Sequence, residues 1–163
     1  MDELDFPAVY ERHAKDVYRF ALYLSGDFAL AQDLAAETFA RAWAARDRIR
    51  LGSVKAYLLA IARNLYRDET RRPAAVSLPD HLDVADAAAD PEASAGARHE
   101  LRRVLAGLRE IPVADREVLL MATVESLSHH AIALALDLSE AAVKVRVHRA
   151  RARLNAVLAG MEK

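Results

Sequence analysis

The sequence of 163 residues contains no cysteine and only five glycines and five prolines. The lack of cysteine excludes a disulfide framework and any metal site built on thiolates. Few glycines and prolines, much alanine and almost no β-branched alternation favour long helices over a turn-rich β fold. The amino terminus has no apolar core of a signal peptide, and no apolar run approaches the length of a membrane span. The sequence therefore predicts an all-α, cytoplasmic protein without membrane insertion.

Charge is distributed unevenly along the chain, although the formal net charge is only −1. Residues 1–40 carry eight acidic side chains against three basic ones, whereas residues 41–72 carry nine basic against three acidic. Residues 73–97 carry five acidic side chains and no lysine or arginine. A second basic block follows near the carboxyl end, at 144–153. Two basic blocks separated by an acidic segment indicate two nucleic-acid contacts on one chain.

The stretch 139–154 combines a helical apolar stripe with a strongly basic remainder. The stripe, at the spacing of one helix face, consists of Val143, Val147, Ala150 and Leu154. A shorter helical pattern at 128–136 precedes it, and only Asp137 and Leu138 separate the two. Two short helices, a tight turn and a basic second helix are typical of a helix-turn-helix. A solvated basic surface on a helical hairpin is the alternative interpretation.

The other helical patterns divide the chain into two sets. Amphipathic patterns at 5–25, 27–45 and 53–72 can bury a common core, so 5–72 is predicted to form one small domain. Pro73 ends the third pattern, and 73–97 has no periodicity, as expected of an acidic linker. Two more helical patterns and the helix-turn-helix complete a second domain at 98–158.

Three motifs, in this order, resemble the extracytoplasmic-function (ECF) sigma factors of the sigma-70 family. They are DLAAETFARAW at 33–43, AYLLAIARNLYRDETRR at 56–72, and the whole stretch 111–154 that begins IPVADREVLL. The family consists of small bacterial RNA polymerase subunits with two helical domains, sigma-2 and sigma-4, joined by a flexible linker. The resemblance covers roughly 5–72 and 98–158. It implies a factor that binds core polymerase, recognises the −10 and −35 promoter elements and initiates transcription, with an anti-sigma factor as its usual partner.

For the second helix, the resemblance implies contact with the polymerase β′ clamp helices; the β flap is the other expected polymerase contact. The residues expected at the clamp are Asp33, Glu37 and Arg41, and Phe39 and Trp43 would support the helix from within. For the two acidic residues alone, a solvated acidic helix face is the alternative interpretation.

For the third helix and the loop before it, the resemblance implies opening and recognition of the −10 element. Melted DNA needs positive charge for its backbone and polar or aromatic groups for flipped bases. The implied contacts are Arg63, Asn64, Arg67, Asp68 and Arg71. Asn64 can pair with a base edge, whereas Asp68 either accepts from a base amine or orients an arginine. Tyr66 is the stacking candidate, and Tyr57 is expected in the core.

For the basic helix, the resemblance implies recognition of the −35 element. The implied contacts are Lys144, Val145, Arg146, His148, Arg149 and Arg151. Arg149 is the first candidate for a base contact because arginine pairs bidentately with guanine. Val145 either packs on a thymine methyl group or is an incidental exposed valine. The family often has glycine in the turn, where this chain has Asp137, a residue that tolerates positive φ.

Two other functions remain alternatives to a sigma factor. A stand-alone helix-turn-helix regulator accounts for the second domain but not for the acidic-then-basic order of 27–72. A sigma-like decoy that sequesters an anti-sigma factor is disfavoured by the two basic faces. The sequence does not indicate an enzyme, because it has no nucleophile–base pair, metal cluster or phosphate-binding loop. No motif requires a cofactor.

Overall fold

A computed structural model describes residues 5–49, 53–72 and 94–162, and these residues are organised as helices without strands. The helices are α1 (Phe6–Ser25), α2 (Phe28–Ala44), α3 (Val54–Arg71), α4 (Ala95–Arg109), α5 (Val113–Thr123), α6 (His129–Leu136) and α7 (Glu140–Met161), with a 3-10 turn at Arg46–Arg48. The predicted all-α class is therefore confirmed. Most of the predicted acidic linker lies outside the described residues.

Helices α1, α2 and α3 pack against one another as a first bundle. Asp5 begins α1 by accepting a hydrogen bond from the amide of Ala8, and Asp27 begins α2 by accepting from Leu30. Between them Gly26 has φ of 70°, which ends α1 in the left-handed conformation that glycine adopts without a Cβ penalty. The buried side chains of this bundle include Val17, Phe20, Leu24, Leu34, Phe39, Leu58 and Leu59.

Two expectations for the first bundle are wrong, those for Trp43 and Tyr66. Trp43 is half exposed and does not lie within the core, since its ring packs edge-on against Phe6 at 5.1 Å and lies 4.0 Å from the guanidinium of Arg46. Tyr66 is buried, because α3 is covered by helices on several sides, so this side chain is not available to stack on a base. Ser53 precedes α3, but its side chain makes no capping hydrogen bond.

Helices α4 to α7 form a second bundle in which α7 contacts each of the other three. The bundle begins at Ala95, three residues before the predicted boundary, and α7 continues past Leu154 to Met161. Gly107 permits the close approach of α4 to the end of α7, since a Cβ there would lie only 3.0 Å from Cδ2 of Leu158. None of the helices among the described residues is both long and apolar enough to cross a membrane.

The two bundles contact each other, because α1 packs on α4 and α5 while α3 packs on α5 and α6. Two arginines of the second bundle donate to backbone carbonyls at the end of α1: Nη2 of Arg109 to Gly26 at 3.1 Å, and Nη1 of Arg116 to Leu24. Carbonyls at a helix carboxyl end lack intrahelical donors and carry partial negative charge, so cations stabilise them. Charged side chains thus contribute to the arrangement of the bundles, beside the apolar core that runs through both.

Candidate nucleic-acid interface

Helices α6 and α7 form the predicted helix-turn-helix, and local capping explains its geometry. Ser128 accepts from the amide of Ala131 and Ser139 from that of Ala142, each at 3.0 Å, so both helix starts are fixed by their own sequence. Asp137 closes α6 in the left-handed conformation with φ of 55°. The expectation that Asp137 takes the place of a turn glycine is confirmed.

Helix α7 buries its predicted stripe and exposes most of its basic residues. Val143, Val147 and Ala150 are buried, whereas Val145 is 58% exposed. The other predicted −35 residues are also at the surface, with Arg146 half-buried and the rest exposed: Lys144, His148, Arg149 and Arg151. The surface of α7 can therefore offer positive charge and one apolar side chain to a groove of DNA.

One of these residues, Arg149, already has a partner in the free protein. Its Nε donates to Oδ2 of Asp115 at 2.9 Å and its Nη2 to Oδ1 at 2.7 Å, in a bidentate pair. The Asp115 side chain is 5% exposed and that of Arg149 is 58% exposed. The hydrogen bonds from Arg149 hold the pKa of Asp115 below its ordinary value, and nearby Arg146 and Arg153 act in the same direction. Sequence reasoning missed this pair, whose members lie 34 residues apart.

Two predicted −10 residues on α3 point at the second bundle. Nε and Nη2 of Arg67 donate to the two carboxylate oxygens of Glu117 at 2.6 and 2.9 Å. Nε of Arg63 lies 3.1 Å from Oε2 of the same carboxylate, as an ion pair without hydrogen-bond alignment. Glu117 is completely buried. Asn64 is exposed and accepts from Nη1 of Arg63 at 2.8 Å.

The remaining −10 candidates are exposed and lie apart from this contact. Asp68 and Arg71 form a loose ion pair at 3.9 Å. Asp68 also lines a groove of about 750 Å³ between α2 and α3, together with Asp33, Glu37 and Arg41. Within the groove Nε of Arg41 donates to Oε1 of Glu37 at 3.2 Å. The structure thus brings Asp68 beside the predicted polymerase-contact residues.

A second buried carboxylate, Glu125, joins the bundles near the end of α5. Nη2 of Arg19 lies 2.6 Å from Oε1 of Glu125, and Nζ of Lys55 donates to the Glu125 carbonyl at 2.8 Å. Burial raises the pKa of Glu125 even though Arg19 opposes that shift. These partners are 106 and 70 residues from Glu125 in the chain, so no local pattern indicated them.

The first bundle carries a basic third helix, and the second carries a helix-turn-helix with a basic exposed helix. Together they define a two-domain DNA-binding factor. Family models agree with this division: Sigma-70 region 2 matches residues 9–75, and Sigma-70, region 4 matches residues 101–154.

Curated relatives extend over nearly the whole chain. The ECF RNA polymerase sigma factor SigM of Bacillus subtilis (strain 168) is 32% identical over 151 residues, which cover 91% of this chain and 92% of the relative. The RNA polymerase sigma factor NccH of Alcaligenes xylosoxydans xylosoxydans is 30% identical over 164 residues, which cover 96% of this chain and 88% of the relative.

Solved structures show the same fold. The sigma factor RpoE, in complex with the anti-sigma factor NepR from Bartonella quintana, matches with a TM-score of 0.76 and 25% identity, over 94% of this chain and 96% of that one. CnrH, in complex with the cytosolic domain of CnrY, matches with a TM-score of 0.73 and 27% identity, over 95% of this chain and 88% of that one. The chain belongs to the ECF sigma factors of the sigma-70 family. It acts in transcription initiation, as a subunit that binds core RNA polymerase and recognises promoter DNA.

Proposed function

We propose that three helices make the contacts needed for transcription initiation, one with polymerase and two with promoter DNA. Helix α2 contacts the β′ clamp helices of core polymerase through Asp33, Glu37 and Arg41. Helix α7 reads the −35 element, and the observation that carries this assignment is its exposed basic surface on a capped helix-turn-helix. The second bundle also meets the β flap, which positions α7 relative to the polymerase.

Helix α3 contacts the −10 element through Arg63, Asn64, Arg67 and Arg71. Positive charge on this helix suits the backbone of melted DNA, and the exposed amide of Asn64 suits a base edge. The ion pair between Asp68 and Arg71 supports the view that Asp68 orients an arginine rather than reading a base itself.

The chain works in the bacterial cytoplasm, without an enzymatic activity or cofactor of its own, and an anti-sigma factor controls it. Support for this partner comes from the two similar solved structures, since each is a complex of a sigma factor with NepR or CnrY. The family itself consists of DNA-binding regulators.

The deciding experiment is transcription by purified core polymerase on genomic DNA fragments, with and without this protein. We expect transcripts that start at defined sites only when the protein is present. Tight promoter binding by the protein alone would favour a stand-alone regulator, whereas anti-sigma binding without any transcript would favour a decoy. The control is the same assay with an Asp33→Arg/Glu37→Arg double variant, which should remove the transcripts by preventing polymerase contact.

A further inference from the structure

The pair between Asp115 and Arg149 uses only one side of the guanidinium. A guanidinium offers two donor forks, an inner fork formed by Nε and Nη2 and an outer fork formed by Nη1 and Nη2. The two carboxylate oxygens of Asp115 accept from the inner fork. We propose that Asp115 is a positioning residue for −35 recognition, which holds Arg149 by the inner fork so that the outer fork meets a guanine. The inference rests on the proposed role of α7.

Asp115 is a buried and charged acceptor. It is 4% exposed and lies in the first turn of α5, a helix that packs directly on α7. Arg146 and Arg153, which lie three residues before and four after Arg149, add to the attraction for its negative charge. The pKa of Asp115 lies below its ordinary value, so both carboxylate oxygens accept hydrogen bonds at neutral pH. The partner of Arg149 is therefore part of the packed bundle and not a surface group.

Arg149 is expected to keep this pair when it binds DNA. A buried carboxylate that loses its partner retains the desolvation cost of its charge without compensation. The side chain of Asp115 is 5% exposed and that of Arg149 is 58% exposed, so a base can approach the arginine but not the carboxylate. None of the hydrogen bonds among the described residues uses Nη1 of Arg149. The outer fork is thus the part of the arginine that a base can reach.

A fork that is already oriented favours guanine in two ways. Immobilising a long side chain at an interface weakens binding by about two- to twelvefold, a loss that a pre-existing partner avoids. Guanine presents two acceptors, O6 and N7, to one fork, whereas adenine presents an acceptor beside an amine donor. A mobile arginine can turn from that amine to a phosphate, but an arginine held by Asp115 cannot turn as freely. Positioning should therefore raise both the affinity and the preference for guanine.

Two other roles of the pair give different results when the charge of Asp115 is removed. If Asp115 competed with DNA for Arg149, promoter binding would become tighter. If the pair only stabilised the fold, binding to every DNA would weaken alike. A positioning role weakens binding to guanine alone. Binding to another base at that position should stay equal or become tighter, because a negative charge near the phosphates is lost.

The test uses holoenzyme made with purified core polymerase and a labelled promoter found by the transcription assay. Each G·C pair of its −35 element is replaced in turn by A·T, and dissociation constants are measured by fluorescence anisotropy. At one position the wild type should prefer guanine at least about fivefold, and Arg149→Lys should lose this preference because lysine has no fork. Asp115→Asn should bind the guanine promoter about two- to twelvefold more weakly and the substituted promoter equally or more tightly.

A double variant shows whether Asp115 acts through Arg149. Added to Arg149→Lys, Asp115→Asn should not weaken promoter binding further, since no fork remains to be positioned. Weaker binding in that background, or an equal loss on both promoters, would overturn the proposal in favour of a role in folding alone. Unchanged or tighter binding of Asp115→Asn to the guanine promoter would overturn it as well. The matched control is Glu162→Gln, which removes a carboxylate that pairs with Arg103 in the same bundle and should change neither dissociation constant.

Helix content by circular dichroism ensures that folded variants are compared. Should Asp115→Asn lose helix content, Asp115→Glu takes its place, because it keeps the charge but moves the carboxylate by one methylene group. The same selective loss on the guanine promoter is expected, and wild-type dissociation constants would overturn the proposal. Failure of the proposed function shows differently: no G·C replacement then distinguishes the wild type from Arg149→Lys, which removes the −35 assignment of Arg149 and this inference with it.

Discussion

At the scale of single residues, Arg149 presents the same bidentate fork that guanine requires, and Asp115 occupies it. The exposed place of Arg149 on α7 followed from the helical period, but its partner did not, because Asp115 lies on another helix. Asp115 sits in the first turn of α5, where the helix dipole also favours a negative charge. Arg149 therefore stabilises the second bundle before it meets any DNA.

The pair makes stability depend on acid pH. Arg149 holds the folded pKa of Asp115 below the ordinary value of 3.8, so its contribution is complete above that value and is lost as pH falls through the folded pKa. We expect Asp115→Asn to cost about 1.5–3 kcal/mol near neutral pH. In urea unfolding curves the difference from wild type should shrink as pH falls below 3.8.

The control is Asp47→Asn, which changes an exposed aspartate in the 3-10 turn and should give a small difference at every pH. A cost of Asp115→Asn that stays constant with pH would contradict the role assigned to the pair.

Val145 allows a test at the level of one methyl group. It is exposed on α7, away from the buried stripe and four residues before Arg149. An apolar side chain reads no hydrogen-bonding edge but can pack on the C5 methyl of thymine. We expect replacement of one −35 thymine by uracil to weaken wild-type binding and to leave Val145→Ser unaffected. Footprint titrations with holoenzyme measure this, and indifference of the wild type to every replacement would mark Val145 as an incidental exposed valine.

Asn64 tests the proposed −10 contact. Its side chain is exposed and accepts a hydrogen bond from Arg63, so Asn64→Ala should leave the fold intact. We expect promoter opening to become less favourable by about 1–3 kcal/mol, the discrimination that one paired base contact supplies. The affinity for polymerase should stay unchanged. Permanganate footprints of unpaired thymines report the opening. Thr70→Ala, an exposed polar change one and a half turns further along α3, is the control, and an unchanged footprint for Asn64→Ala would remove the base contact.

At the scale of elements, the helix starts and the buried stripes could be predicted from sequence. The contacts that each helix makes with other helices could not. Asp27 and Ser139 begin their helices as their local sequence indicates, because a cap depends on three or four neighbouring residues. The burial of Trp43 and Tyr66 depends on where other helices end and pack. Trp43 lies in the last turn of α2, where Phe6 at the start of α1 covers only part of its ring, while Tyr66 lies on a helix that both bundles cover.

Helix α2 supplies the prediction at this scale. Asp33 and Glu37 are exposed one turn apart beside the groove that α2 forms with α3. We expect Asp33→Arg/Glu37→Arg to lower the affinity for core polymerase at least about tenfold, since like charges across an interface cost several kcal/mol. Fluorescence competition for core polymerase measures this, with helix content checked by circular dichroism. The matched control is Asp47→Arg/Glu110→Arg, a reversal of two exposed acids elsewhere, and normal affinity of the α2 variant would exclude the clamp assignment.

At the scale of the molecule, the contact between bundles was not predictable from sequence. Arg67 and Glu117 are 50 residues apart, and both look like ordinary charged positions of amphipathic helices. Local periodicity places each residue on a helix face, but only docking of the two bundles decides which faces meet. The charge blocks did indicate two basic surfaces; they did not indicate that buried acids of the second bundle would neutralise part of the first.

Ion pairs contribute to the contact between the bundles, beside the apolar core that runs through both, so salt should weaken that contact. The Debye length falls from about 10 Å at 0.1 M to about 3 Å at 1 M salt, which weakens attraction between partly exposed charges. We expect the radius of gyration from X-ray scattering to increase over this range in the wild type. The increase should be smaller in Glu117→Gln, where part of the attraction is already gone. A wild-type radius that is independent of salt would show that apolar packing, and not charge, governs closure.

The buried position of Glu117 also bears on how the protein behaves among excess DNA. Tethered to the same chain, its carboxylate faces Arg63 and Arg67 at an effective concentration on the order of millimolar. Non-specific DNA typically binds such proteins with dissociation constants of about 10⁻⁴–10⁻⁶ M, a range in which a tethered competitor of this strength matters. In the free chain Glu117 should therefore lower the affinity of these proposed DNA contacts for non-specific DNA, which leaves more of the protein available to polymerase.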